Sequence, residues 1–164
     1  MFSCKAEKQP EQYLSDFFLL GAIDRMTATI LLIDDNAVQV ATRQAILKRA
    51  GYSAIAVLNS KQALDQFRGN QFPTHIDLVI TDHFMPGMNG VEFVRQLRET
   101  HPKLPVMVIS GLDEAENEYE GLNVLFRLKP LPPENLLASV DGLVKGEQNI
   151  SEDPSGFPRA VNDV

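Results

Sequence analysis

The sequence has little cysteine, more negative than positive charge, and no hydrophobic run long enough to cross a bilayer. Cys4 is the single cysteine among 164 residues, which excludes an internal disulfide and fits a reducing cytoplasm. The formal net charge of −7 would repel a phosphate backbone, so we expect no direct nucleic-acid binding. The apolar stretch at residues 17–23 is too short for a membrane span and lies between acidic residues, so we expect neither membrane insertion nor a signal peptide.

Three zones differ in composition along the chain. Residues 1–26 form a leader, for which a helix is one interpretation and a true start of the protein at Met26 the other. Residues 27–146 alternate apolar runs with amphipathic segments and are predicted to form one folded domain. Residues 147–164 are polar and rich in Pro, Gly, Asp and Ser, which predicts a disordered tail.

Five short apolar runs predict five strands, at residues 29–33, 53–58, 76–81, 104–110 and 124–128. Helices are predicted from residues 34–36 to 50, from a capping Ser60 onward, at 91–100 and at 133–144. In the first helix, Val38, Ala41 and Ala45 have helical spacing and, with Ile46 and Ala50 beside them, form its predicted apolar face. This alternation predicts an α/β fold with a doubly wound parallel five-stranded sheet and helices on both faces.

Polar side chains stand at the ends of four of these predicted strands. Asp34 and Asp35 follow the first strand, Asp82 the third, Ser110 closes the fourth and Lys129 follows the fifth. In open parallel sheets, ligands bind outside the carboxyl ends of the strands. The sequence therefore predicts that these five residues share one site.

The residue types of this site indicate phosphoryl chemistry assisted by a metal ion. Three converging carboxylates repel one another, and a cation among them would let all three stay ionised. Oxygen ligands without a cluster of cysteine or histidine favour Mg²⁺ over softer metals. A carboxylate beside Mg²⁺ can attack a phosphoryl group, while a lysine and a hydroxyl share the charge of the transferred oxygens.

Four short motifs carry a resemblance to a known family: Asp34-Asp35, TDHFMPGMNG at residues 81–90, ISG at 109–111 and RLKP at 127–130. With these motifs, residues 27–146 resemble the receiver domains of bacterial two-component response regulators, in particular single-domain, chemotaxis-regulator-like receivers. The resemblance implies a flavodoxin-like (βα)5 fold. It also implies a phosphorelay role, with a histidine kinase or phosphotransfer protein as donor and a downstream protein as target. The interval from Ser110 to Lys129 is short for this family, so we expect an abbreviated or irregular fourth helix.

The resemblance assigns a metal-binding role to four residues. Asp82 matches the phospho-acceptor of the family and, with Asp35, a direct Mg²⁺ ligand. Asp34 matches the carboxylate that helps to hold the ion mostly through water. The backbone carbonyl of Phe84, two positions after the acceptor, matches the third protein ligand.

Other residues match the parts of the family that bind and report the phosphoryl group. Lys129 matches the lysine that pairs with it, and the Lys129–Pro130 bond is expected to be cis. Ser110 matches the hydroxyl that turns toward the phosphate. Phe126 matches the aromatic switch that rotates inward when that hydroxyl moves.

Three further features near the acceptor refine this expectation. Phe84 and Leu112 occupy positions where a polar side chain could orient an attacking water, so we expect slow self-dephosphorylation. His83 is interpreted only as a side chain that lines the site. Residues 113–120 hold five carboxylates and no base, which favours a basic partner or disfavours self-association, unless the segment is simply a solvated, poorly formed helix.

Other functions are open on the sequence alone. We expect a signalling phospho-acceptor without enzymatic activity beyond self-catalysed phosphotransfer and dephosphorylation, and a monomer or weak homodimer. The main alternative is a phosphorylation-independent interaction module of the same fold. A haloacid-dehalogenase phosphatase needs a D-x-D motif where this chain has Asp34-Asp35-Asn36. A flavin carrier needs small, hydroxyl-bearing residues after the first strand, which are missing. The short stretch after the last predicted helix holds no output domain, unless the chain is a fragment of a larger regulator.

Overall fold

The computed structural model describes residues 28–146. The predictions for the leader at 1–26 and for the tail at 147–164 lie outside the described residues, and the division of the chain stays a prediction. Within residues 28–146, no helix is both long enough and apolar enough to cross a membrane.

Five parallel strands form one sheet in the order β2-β1-β3-β4-β5. The strands are β1 (Thr29–Ile33), β2 (Ser53–Val57), β3 (Leu78–Asp82), β4 (Val106–Ser110) and β5 (Leu125–Leu128). β1, β3 and β4 are buried at every position, as expected for strands that are covered on both faces. The predicted doubly wound parallel sheet is confirmed, and the strands differ from the prediction only at their ends.

Four α-helices and one 3-10 helix connect or follow the strands. They are α1 (Ala37–Arg49), α2 (Ser60–Arg68), α3 (Gly90–Thr100), the 3-10 helix (Glu114–Tyr119) and α4 (Pro133–Val144). The 3-10 helix stands where the sequence predicts a fourth helix, so the expected irregularity is confirmed. Its buried residues are Ala115 and Tyr119, which anchor an otherwise acidic segment against the core.

Asparagine side chains cap the first three helices. The side-chain oxygens of Asn36, Asn59 and Asn89 accept hydrogen bonds from backbone N–H groups in the first turns. The prediction that Ser60 caps α2 is wrong, because Asn59 has the extended backbone that a cap requires. The Ser60 hydroxyl instead donates to the Met88 carbonyl at 2.7 Å and ties α2 to the loop after β3.

The core lies in two layers, one on each face of the sheet. Alternate β1 side chains point to opposite layers, with Leu31 and Ile33 in one and Ile30 and Leu32 in the other. The first layer is closed by α2 and α3, and the second by α1 and α4. The three central strands are therefore buried on both faces, and the loops at the carboxyl edge of the sheet are left to form a site.

The predicted apolar face of α1 is wrong at three of its five residues, whereas Ile46 and Ala50 are partly buried and pack against the core. Val38 is 74% exposed and Ala41 and Ala45 are exposed too, whereas Val40 and Leu47 are the buried residues of the helix. Polar residues between these two on the inner face obscure its periodicity in the sequence.

Candidate functional site

The sheet brings the predicted site residues to one edge. Asp34 directly follows β1, Asp82 ends β3, Ser110 ends β4 and Lys129 directly follows β5. β3 lies between β1 and β4, and β5 is next to β4, so the carboxyl ends of these four neighbouring strands are adjacent. The predicted convergence is present, with Asp82 at its centre.

The three carboxylates form a compact oxygen cluster. One carboxylate oxygen from each of Asp34, Asp35 and Asp82 lies within 4.8 Å of the others. Asp34 and Asp82 are buried and Asp35 is exposed, so the cluster opens to solvent on one side. An all-oxygen donor set with an open side fits a hard divalent cation that keeps part of its water shell, such as Mg²⁺.

Basic side chains already contact two of these carboxylates. Lys129 Nζ is 3.1 Å from Asp82 Oδ2, and Arg43 Nη1 is 2.7 Å from Asp34 Oδ2. The three carboxylates therefore do not depend on a metal ion alone for compensation of their charge. Lys129 was predicted from the sequence, whereas Arg43 was missed.

Backbone contacts fix the loop around Asp82. The His83 N–H donates to Asp82 Oδ1 at 2.8 Å, and the Gly90 N–H donates to the His83 carbonyl at 2.9 Å. A Cβ atom on Gly90 would lie 2.6 Å from the Asp82 carbonyl oxygen, so the close approach of α3 to the loop requires glycine here. Asp82 is thus held by Lys129 through one carboxylate oxygen and by the loop backbone through the other.

The Ser110 hydroxyl is buried and forms its hydrogen bonds with the backbone of Leu112. Its Oγ accepts from the Leu112 N–H at 3.0 Å and donates to the Leu112 carbonyl at 3.2 Å. Among residues 28–146, no hydrogen bond joins Ser110 Oγ to Asp82 or to Lys129. The Lys129–Pro130 bond is cis, as expected.

Comparisons with known proteins agree with this geometry. Residues 30–141, more than half of the chain, match the family model of the response regulator receiver domain. This chain belongs to that family. The autoinducer 1 sensor kinase/phosphatase LuxN of Vibrio campbellii is 32% identical over 103 residues, which are 63% of this chain and 12% of LuxN. The transcriptional regulatory protein ZraR of Escherichia coli is 30% identical over 115 residues, 68% of this chain and 25% of ZraR.

Solved receiver structures show the same fold. Chemotaxis response regulator CheY4 of Vibrio cholerae superimposes with a TM-score of 0.63 at 25% identity, over 71% of this chain and 98% of CheY4. A receiver domain protein from Clostridium thermocellum gives a TM-score of 0.64 at 25% identity, over 74% of this chain and 97% of that one. The predicted flavodoxin-like receiver fold is confirmed.

A buried pair of side chains joins the loop after Asp82 to the 3-10 helix. The Tyr119 hydroxyl is 2.9 Å from His83 Nδ1, and both side chains are buried. Burial raises the pKa of Tyr119, and the negative charges of Glu118 and Asp82 raise it further, so the hydroxyl keeps its proton. A protonated hydroxyl can donate to the Nδ1 of His83.

Phe126 lies behind this pair. Its ring is partly buried and its centroid is 5.9 Å from that of Tyr119. The receiver domain therefore has a continuous path of contacts from Asp82 through His83 and Tyr119 to Phe126. Nothing in the sequence signals the His83–Tyr119 contact, because the two residues are 36 positions apart and each is unremarkable by itself.

Two large apolar side chains close in sequence to Asp82 and Ser110 are exposed. Phe84, two positions after Asp82, is 60% exposed, and Leu112, two positions after Ser110, is 48% exposed. Neither side chain has a polar atom that could hold a water molecule near Asp82. Phe84 and Leu112 are therefore the apolar mouth of the site, and Asp34, Asp82 and Lys129 are its charged floor.

Proposed function

We propose that this receiver domain takes a phosphoryl group from a histidine kinase or a phosphotransfer protein onto Asp82, in a Mg²⁺-dependent reaction, and signals by protein–protein contact. The observation that carries the proposal is the position of the Asp82 carboxylate. One of its oxygens is 3.1 Å from the Lys129 ammonium, and it shares a cluster with Asp34 and Asp35. The Asp82 carboxylate as nucleophile, the Lys129 ammonium and the oxygen ligands for Mg²⁺ thus lie together.

In the proposed reaction, an Asp82 carboxylate oxygen forms a bond to phosphorus while the bond from phosphorus to the donor's leaving atom breaks. In a phosphohistidine donor, that leaving atom is an imidazole nitrogen. Asp34, Asp35, Asp82 and the Phe84 carbonyl would hold Mg²⁺, which supplies positive charge for the phosphoryl oxygens. Lys129 supplies the other positive charge and lies within reach of the same oxygens.

The proposed output begins at Ser110. If its hydroxyl turns toward the phosphoryl group, it gives up both contacts with the Leu112 backbone. The β4 end and the neighbouring Phe126 are then free to move, and Phe126 packs against Tyr119 of the 3-10 helix. The acidic 3-10 helix would therefore report the state of Asp82 to a downstream protein, with a basic partner favoured.

The relatives carry this receiver region within longer proteins. The chain spans only 12% of LuxN and 25% of ZraR, so the sensor-kinase and transcriptional activities in their names are not assigned to it. The phosphoryl-accepting step is the one that we assign. A cytoplasmic location and a monomeric or weakly dimeric state stay predictions.

The proposal is tested by the intact mass of the protein after incubation with Mg²⁺ and either acetyl phosphate or phosphoramidate. We expect wild type to gain one phosphoryl group and Asp82→Asn to gain none. Asp65→Asn, an identical change at an exposed position of α2, is the matched control and should behave as wild type.

The alternative function, a phosphorylation-independent interaction module, predicts a different result. A folded wild type that binds Mg²⁺ and gains no phosphoryl group would favour that module. A phosphoryl group gained equally by Asp82→Asn would overturn the assignment of the acceptor. Omission of Mg²⁺ in the wild-type reaction tests the metal dependence separately.

A further inference from the structure

Arg43 forms an ion pair with Asp34, one of the three carboxylates of the acidic cluster. Its Nη1 is 2.7 Å from Asp34 Oδ2, with Arg43 only 15% exposed and Asp34 only 1% exposed. The other Asp34 oxygen accepts the Asn36 N–H at 2.9 Å. Both oxygens of this carboxylate therefore already have donors from the protein.

The Arg43–Asp34 contact differs from a surface ion pair, because Arg43 lies on the inner side of α1. Arg43 lies between Val40 and Leu47 on the side of the helix that packs against the sheet, where an apolar side chain is usual. Its Nη2 donates to Gln39 Oε1 at 2.9 Å, which holds the guanidinium toward the strand end. A charged pair so far from water is screened much less than an exposed one.

We propose that Arg43 is a built-in counter-ion that competes with a divalent cation for Asp34, and so sets the Mg²⁺ affinity of this receiver domain. The inference rests on the proposed function, because it assumes that Mg²⁺ binds at the acidic cluster. Three ionised carboxylates there face two basic side chains, Arg43 and Lys129, which leaves one net negative charge. A cation is attracted less by this cluster than by one without Arg43.

A contrary role for Arg43 predicts the opposite sign. If the guanidinium served to aim Asp34 at the metal ion, its removal would let the carboxylate swing away and would weaken Mg²⁺ binding. If Arg43 competes with the ion, its removal strengthens binding. Whether the removal of Arg43 strengthens or weakens Mg²⁺ binding therefore distinguishes the two roles.

The experiment is a calorimetric titration of MgCl₂ into four forms of the full chain: wild type, Arg43→Gln, Asp34→Asn and the double variant. We expect Arg43→Gln to lower the Kd for Mg²⁺ on the order of tenfold and Asp34→Asn to raise it. The double variant loses one charge of each sign, so its Kd should return to within about twofold of wild type.

Arg49→Gln is the matched control. It makes the same change on the same helix, at an exposed position in the last turn, and should leave the Kd unchanged. Far-ultraviolet circular dichroism verifies that each variant is folded. If the unpaired Asp34 prevents folding of Arg43→Gln, then Arg43→Lys takes its place. The shorter lysine weakens the contact, so its Kd should fall in the same direction.

The result separates this inference from the proposed function. An unchanged or higher Kd in a folded Arg43→Gln, or no Mg²⁺ binding by any form, overturns the competition. Phosphoryl gain by wild type is scored independently by mass, so the proposed function can stand while the role of Arg43 fails. A lower Kd in Arg43→Gln that the double variant reverses supports the inference.

Discussion

The two sides of Asp82 are built from different interactions. On the β1 side, a 2.7 Å ion pair joins the buried Asp34 carboxylate to the partly buried Arg43 guanidinium. On the side of β4 and β5, the link to the 3-10 helix is a hydrogen bond between Tyr119 and His83, with ring packing behind it. The Asp34 side thus acts through charge, whereas the 3-10 helix is joined to the site through contact.

This difference predicts separate consequences for substitutions on the two sides. Charges act over several ångströms, so they set the affinity for ions and for a phosphoryl group without fixing a shape. A hydrogen bond acts only at contact, so it fixes the position of a loop and contributes stability. Substitutions on the Asp34 side should change binding and transfer, whereas those in the contacts with the 3-10 helix should change stability and the coupling to that helix.

A substitution of Lys129 tests this division most directly, because the Lys129 ammonium group contacts Asp82 from the β5 side. We expect Lys129→Gln to slow phosphorylation by roughly 100-fold, since a charge aimed at the transferred oxygens is lost. The measurement is the initial rate of phosphoryl mass gain from phosphoramidate with Mg²⁺. Lys103→Gln, at an exposed loop position, should retain the wild-type rate. Equal rates in the two variants would remove Lys129 from the reaction.

The positions of the polar site residues at the carboxyl edge of the sheet are predicted well by the sequence. Asp34, Asp82, Ser110 and Lys129 each follow or end an apolar run, and a parallel sheet must bring such ends to one edge. This part of the site depends only on strand order and on local pattern, both of which are encoded in short stretches of sequence.

Contacts between distant residues escape the same analysis. Arg43 was missed because a polar residue on the inner face of α1 looks like a break in periodicity, and the same break led to the wrong choice of Val38 as a core residue. The pairing of Tyr119 with His83 was missed because it follows from the path of the 3-10 helix. In both cases the partner is chosen by the packing of whole elements.

The contact with the 3-10 helix is tested by Tyr119→Phe, which removes a single hydroxyl. Because the Nδ1 of the buried His83 then lacks its partner, we expect the free energy of unfolding to fall by about 1–3 kcal/mol. The measurement is a urea unfolding curve with an unchanged slope. We also expect a changed rate of phosphorylation, since His83 donates its N–H to the acceptor carboxylate.

Tyr52→Phe separates these two expectations. Tyr52 is also buried, and its hydroxyl forms a hydrogen bond to Asp141 of α4, away from the acceptor. Its loss should also destabilise the fold and leave the phosphorylation rate as in wild type. If both tyrosine variants changed that rate to the same degree, the effect would be one of general stability, and the contact path through His83 would have no special role.

The smallest expected effect concerns the apolar mouth. Leu112→Gln places a polar group where water could be held near the phosphoryl group, so we expect the acyl phosphate to decay several-fold faster. Leu58→Gln is the matched control, because Leu58 is 49% exposed against 48% for Leu112 and lies beyond β2 at the edge of the sheet. The measurement is the loss of phosphoryl mass with time after the donor is removed. Rapid decay in wild type would contradict the idea that this mouth protects the phosphoryl group. Faster decay in both leucine variants would point to general loosening of the loops, and faster decay in Leu112→Gln alone would show that the mouth controls the lifetime of the signal.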